Sequence, residues 1–74
     1  MNNLFNGNEI TRELYNAPLI LSVQDVARIL GLSRPTVNRL LDSEEIAPFY
    51  LNGMRKIRKE DLIRWYNKDA RDLT

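Results

Sequence analysis

Cysteine and histidine are both absent from this 74-residue chain. Their absence excludes a disulfide framework, a Cys/His zinc site, a thiol nucleophile and an imidazole base. Without cross-links, the core is stabilised by packing alone, which fits a reducing cytoplasm. No apolar run approaches the roughly 20 residues of a membrane-spanning helix, so no membrane association is expected. The opening MNNLFNGNEI lacks a basic start and an apolar core, so no signal peptide is expected. At 8.7 kDa the chain makes one small domain, with no deep interior for a catalytic cavity. An enzyme is therefore not expected, and neither is a cofactor.

Residues 1–18 are Asn-rich and weakly apolar. Asn8 is placed to cap a short helix carrying Ile10 and Leu14 at i,i+4 spacing, and Pro18 ends anything helical before it. A flexible arm over 1–18 is nevertheless the preferred expectation. Leu19-Ile20-Leu21 reads as a short strand or extended entry segment. Ser22 with Asp25 three residues on is a capping-box-like start. Val23, Val26, Ala27 and Leu30 then share one helical face. Gly31 ends that helix at a position suited to a left-handed backbone.

A second helix follows at once. Ser33 caps it, and Pro35 lies in its first turn, where a missing amide costs nothing. Val37, Leu40 and Leu41 form its buried stripe, and Arg34, Asn38, Arg39 and Asp42 its opposite side. It is expected to end near Ser43. From Ile46 the period changes. Phe49-Tyr50-Leu51 reads as a strand, Asn52-Gly53 as a hairpin turn with positive φ at both positions, and Arg55-Lys56-Ile57-Arg58 as the return strand with Ile57 inward. Glu60 and Asp61 open a third helix, acids at its positive end, with Leu62, Trp65 and Tyr66 on its apolar face. Residues 68–74 read as a polar tail. Trp65, Phe49 and Tyr66 are expected in the core, and Glu44 and Glu45 in solvent.

Two helices joined by about three residues around a glycine have helix-turn-helix spacing. The requirements are met in register: a small Ala27 where the helices cross, Gly31 at the turn, Leu32 plugging the angle, Val37 and Leu40 packing back. Residues 21–66 resemble the excisionase-like family of DNA-binding proteins, within the broader MerR-like winged-helix group. The landmarks are Leu21-Ser22-Val23, Asp25-Val26-Ala27, Leu30-Gly31-Leu32-Ser33, Thr36-Val37, Ile46-Ala47-Pro48-Phe49, Asn52-Gly53, Ile57 through Leu62, and Trp65. The resemblance implies a mainly α fold with a small β-hairpin: a DNA-reading helix-turn-helix, a hairpin wing and a closing helix over residues 19–67. One departure stands out. The family usually has Gly near position 44, where this chain reads Ser43-Glu44-Glu45, so a slightly longer recognition helix is expected.

The charge map supports the same reading. Net charge is only +1, yet residues 34–39 and 54–59 hold six of the eleven bases and none of the ten acids. Such polarity suits a phosphate backbone. Arg34, Asn38 and Arg39 are candidates for base or phosphate contact in the major groove, where Arg pairs with guanine and Asn with adenine. The competing reading is a solvated helix face. Ser33 and Thr36, at the helix start, are placed to hold a phosphate, although for Ser33 plain capping explains the residue as well. Arg55, Lys56 and Arg58 are candidates for the adjacent minor groove or its phosphates; the competing reading is a charged edge strand that resists aggregation. Alternation weakens the case for Arg58.

Double-stranded DNA is thus the expected partner. The resemblance implies an excisionase, or recombination directionality factor, of a bacterial or phage mobile element that assists an integrase. A small transcriptional repressor using the same fold is the alternative. A MerR-type activator also carries a dimerisation helix and an effector domain, which these residues do not hold. A protein-interaction module on the same scaffold is a third reading. One module buries only roughly 600–1,000 Å² on DNA, so homodimers, cooperative copies or a partner protein are expected.

Overall fold

The computed structural model describes residues 7–68. The elements are α1 (Gly7–Asn16), β1 (Ile20–Ser22), α2 (Val23–Leu30), α3 (Arg34–Asp42), β2 (Pro48–Leu51), β3 (Met54–Arg58) and α4 (Lys59–Lys68). The architecture is mainly helical, with a small antiparallel sheet in the order β1-β3-β2. It is a winged helix-turn-helix arrangement in which the wing's return strand is central.

Local chemistry explains each boundary of the helix pair. Ser22 is extended and its Oγ accepts from the Asp25 amide at 3.0 Å, while Asp25 Oδ2 accepts from the Ser22 amide at 3.1 Å. That reciprocal box closes the start of α2. The Ser22 amide, more than any other neighbour, holds the Asp25 carboxyl below its ordinary value. At the other end Gly31 is left-handed at φ 71°. The Gly31 and Leu32 amides both donate to the Ala27 carbonyl, which satisfies the terminal acceptor. Ser33 then caps α3 and Pro35 occupies its first turn.

The end of α3 corrects the expected extension. Asp42 is its last residue, and Glu44 is left-handed at φ 63°. The Glu45 amide donates to Leu40 O at 3.0 Å and the Glu44 amide to Leu41 O at 3.1 Å. These are the two bonds of a Schellman turn, made with glutamate in the glycine seat. The chain must reverse here so that Ile46 can bury, and that burial holds the strained residue in place.

In the hairpin, Asn52 (φ 54°) and Gly53 (φ 77°) form the two-residue turn, and Leu51 pairs with Met54 across it. Strand β1 pairs along the other edge of β3, Leu21 opposite Ile57. Leu21 and Ile57 bury with Val26, Val37, Leu41, Ile46 and Leu62 between the sheet and the helices. Ile29, Leu30, Trp65 and Tyr66 complete that core; Val23, Leu32 and Leu40 pack at its margin. Phe49, expected inside, is only partly buried, on the outer side of the sheet.

The flexible arm expected over 1–18 gives way over residues 7–16. These form α1, which packs on α2 and α4 and buries Ile10 and Leu14 in the common core. The i,i+4 apolar pair outweighed the polar composition around it. Glu13 pairs with Arg28 of α2 at 3.2 Å. Lys59 Nζ donates to the carbonyls of Tyr15 (2.6 Å) and Ala17 (3.0 Å), tying down the end of α1. Apart from Lys68, the polar tail expected over 68–74 lies outside the described residues.

Candidate nucleic-acid interface

Helix α3 buries Val37 and Leu41, one turn apart. At about 100° per residue, that places Arg39 near the middle of the opposite face. Ser33, Arg34 and Arg39 are exposed, and Thr36 is half-buried. Ser33 Oγ accepts from the Thr36 amide at 3.2 Å and lies 2.8 Å from Thr36 Oγ1. Arg39 Nη2 donates to the same Thr36 hydroxyl at 3.3 Å. The fold therefore gathers Ser33, Thr36 and Arg39 into one chain of polar groups along the open face of α3. No acid occupies the first turn of α3, whereas Asp25 lies in that of α2 and Glu60 and Asp61 in that of α4. The positive end of the α3 dipole thus keeps its field toward solvent.

The hairpin residues are divided. Ile57 and Arg55 share one side of β3 and Lys56 and Arg58 the other, as strand alternation requires. Arg55 therefore turns toward α3 instead of reaching outward. Its Nη1 donates to Asn38 Oδ1 at 3.0 Å and its Nη2 to Asp42 Oδ1. Only 24% of the Arg55 side chain is exposed. Asp42 first, and Tyr50 after it, push the guanidinium still further above its ordinary value. Asn38 is half-buried by the same contact. Asp42, an acid among the candidate bases, organises this corner, and the shared parity of Arg55 and Ile57 in the sequence is the signal that points to it.

Arg58 sits 4.5 Å over the centre of the Phe49 ring and 3.6 Å from Asp61. Phe49 pairs with Lys56, on the side of the sheet opposite Ile57, so strand parity places it outside the core, and the Arg58 guanidinium covers it there. Lys56 is on the same outer side of the sheet. Among the described residues no ion pair engages Arg34, Arg39 or Lys56. The six bases of the two clusters thus serve different ends: Arg34 and Arg39 lie on α3 outside the ion pairs of the described residues, Arg55 bridges to α3, Arg58 and Lys59 brace the fold, and Lys56 lies near enough to Asp25 to help hold its carboxyl down. Tyr50, Leu51 and Met54 make the hairpin tip exposed and apolar.

A family model described as Helix-turn-helix domain matches residues 20–70. The chain belongs to that family. The helix-turn-helix match covers α2, the Gly31 turn, α3, the hairpin and α4, and begins after α1. Comparison with curated proteins and with solved structures finds no match. Membership supports DNA binding through the paired helices, and DNA as a partner, and it suggests a non-enzymatic protein. Among the described residues, no helix is long and apolar enough to cross a membrane, and no cluster of acidic side chains is arranged to hold a metal ion.

Proposed function

We propose that this helix-turn-helix domain reads specific sequences in double-stranded DNA as an accessory factor of mobile-element excision, assisting an integrase in the cytoplasm of a bacterial host. The observation that carries the reading is the open face of α3. Ser33, Thr36 and Arg39 lie there, with Arg34 exposed at the helix start and no carboxylate in the first turn, beside a hairpin anchored to the same helix through Arg55. Arg34 and Arg39 supply base-edge or phosphate contacts, and the Ser33–Thr36 pair sits where a phosphate meets the helix amides. Lys56, on the far side of the sheet, serves phosphates of a flanking turn of duplex, while Arg58, seated on Phe49 and paired with Asp61, braces the strand that carries it. The excision role draws on the resemblance to excisionase-like proteins. It also fits the modest area of one module, which calls for paired sites, several copies, or a recombinase.

The test is fluorescence anisotropy with two labelled duplexes at several salt concentrations, one from DNA flanking the gene and one scrambled. Preferential binding that weakens steeply with salt is the expected result. A folded sample that binds neither duplex at low salt overturns the reading in favour of a protein-interaction module. Adding the protein to the integrase of the same element then separates excision from repression. Stimulated excision is expected; repression of a neighbouring promoter without any effect on excision favours the regulator.

A further inference from the structure

We infer that Asn38 reads a base through its amide NH2 alone, selecting guanine or thymine over adenine, because Arg55 holds its carbonyl. The inference rests on the reading of α3 as the DNA-reading helix and deepens it. The usual pairing of asparagine with adenine needs both ends of the amide: the carbonyl accepts from N6 and the NH2 donates to N7. Here Arg55 takes one of the carbonyl's two lone pairs and crowds the other. Arginine has five donors and no acceptor, so the amide must turn its oxygen to Arg55 Nη1, 3.0 Å away, and its NH2 elsewhere. That orientation follows from the chemistry of the pair.

Arg55 is itself held from a second direction by Asp42. It is also fixed at its base, because β3 is the central strand and neighbouring Ile57 is fully buried. The guanidinium is thus a rigid donor group lying against the Asn38 oxygen. The oxygen keeps a second lone pair, but an adenine N6 amino group approaching it would crowd its hydrogens against those of the rigid guanidinium. The acceptors of guanine (O6, N7) or thymine (O4) meet the free NH2 and the rim of a cation instead. Arg55 is in this account a positioning residue: it sets what Asn38 can read and need not touch a base.

The experiment is selection from a duplex library randomised across the binding site, using the full chain as wild type, Asn38→Ala and Arg55→Met with Asp42→Asn. The second substitution prevents Asp42 from being left as an unpaired carboxylate facing DNA. The position that loses its preference in Asn38→Ala is the one Asn38 reads. Wild type is expected to favour guanine or thymine there by about fivefold or more, the lower end for a good base contact. The double variant is expected to shift toward adenine at that position alone, with the remaining positions unchanged. A purely structural role for Arg55 would weaken every position together and leave the base choice intact. Adenine at that position in wild type, or no position that responds to Asn38→Ala, overturns the inference while DNA reading stands. If the double variant fails to fold, wild type against Asn38→Ala still decides. No enrichment by the folded wild type overturns the DNA reading itself, and the inference with it.

Discussion

Helices α2 and α3 are built alike and end differently. Each starts at an extended serine that caps its third amide, Ser22 for α2 and Ser33 for α3. Each stops at a left-handed residue. At the start, Ser22 is answered by the carboxylate of Asp25, but Ser33 by the hydroxyl of Thr36. At the end, the left-handed seat holds Gly31 after α2 but Glu44 after α3. The first difference separates two uses of a helix N-terminus. Asp25 cancels the positive end of α2 internally, which suits a helix packed inside the fold. Thr36 leaves the positive end of α3 unneutralised, which suits a helix that meets an anion. The second difference shows that the reversal after α3 is required strongly enough to override an unfavourable residue.

The sharpest way to break this comparison is at the left-handed seats. A Cβ at Gly31 meets nothing within 4 Å, so the cost of a side chain there is one of backbone conformation. Gly31→Val is expected to destabilise by about 2 kcal/mol, since a β-branched residue resists positive φ. In a domain of this size that lowers the melting temperature by roughly 8–16 °C. An unchanged melt would place the turn elsewhere. Glu44→Gly should move the other way, stabilising by about 1 kcal/mol by removing the left-handed penalty. A melting temperature that fails to rise would mean that Glu44 gains from its side chain what it loses in backbone strain.

The N-terminal difference is probed by making α3 resemble α2. Thr36→Glu completes a capping box and answers the dipole, so stability should rise by roughly 0.3–1 kcal/mol. Duplex affinity should fall at the same time, because a carboxylate then occupies the anion-facing end. Stability and affinity rising together would remove the N-terminus of α3 from the interface.

The smallest effect is in acid. Asp25 has a depressed carboxyl pKa in the folded state. Its contribution is therefore complete above the unfolded value near 3.8 and is lost as pH falls through the lower folded value. Asp25→Asn should reduce stability at neutral pH and converge on wild type in strong acid, as read by denaturant unfolding at several pH values. A difference that persists at the lowest pH would assign the role of Asp25 to something other than its charge.

Most of the helix pair was legible because its signals are local. A serine cap, Pro35, Gly31 and the Val37–Leu41 stripe each act within one or two turns of chain, and Asn52-Gly53 likewise carries its own turn. The same locality made α1 only half-readable. Ile10 and Leu14 mark a helix face, but whether it buries depends on the surfaces of α2 and α4, which are far away in sequence. Among the candidate interface residues, hydrogen bonds join Ser33, Thr36 and Arg39, whereas Arg34, exposed in the first turn, lies about 140° around the helix from Arg39 and on the side of the Val37–Leu41 stripe. The hairpin bases do not form the single cluster that their adjacency suggests. Strand parity sends Arg55 inward and Lys56 and Arg58 outward, and counting bases along the chain is blind to parity.

The caps, the two glycine turns, the paired helices and the hairpin thus follow from local residue order, since each depends on residues a few positions apart. The docking of α1, the left-handed backbone of Glu44 and the donation from Arg55 to Asn38 and Asp42 arise instead from the packed fold. Those outcomes depend on which surfaces meet across 13 or more positions, as Arg55 meets Asp42. Such meetings are fixed by burial of the shared core, a property of the whole chain rather than of any segment.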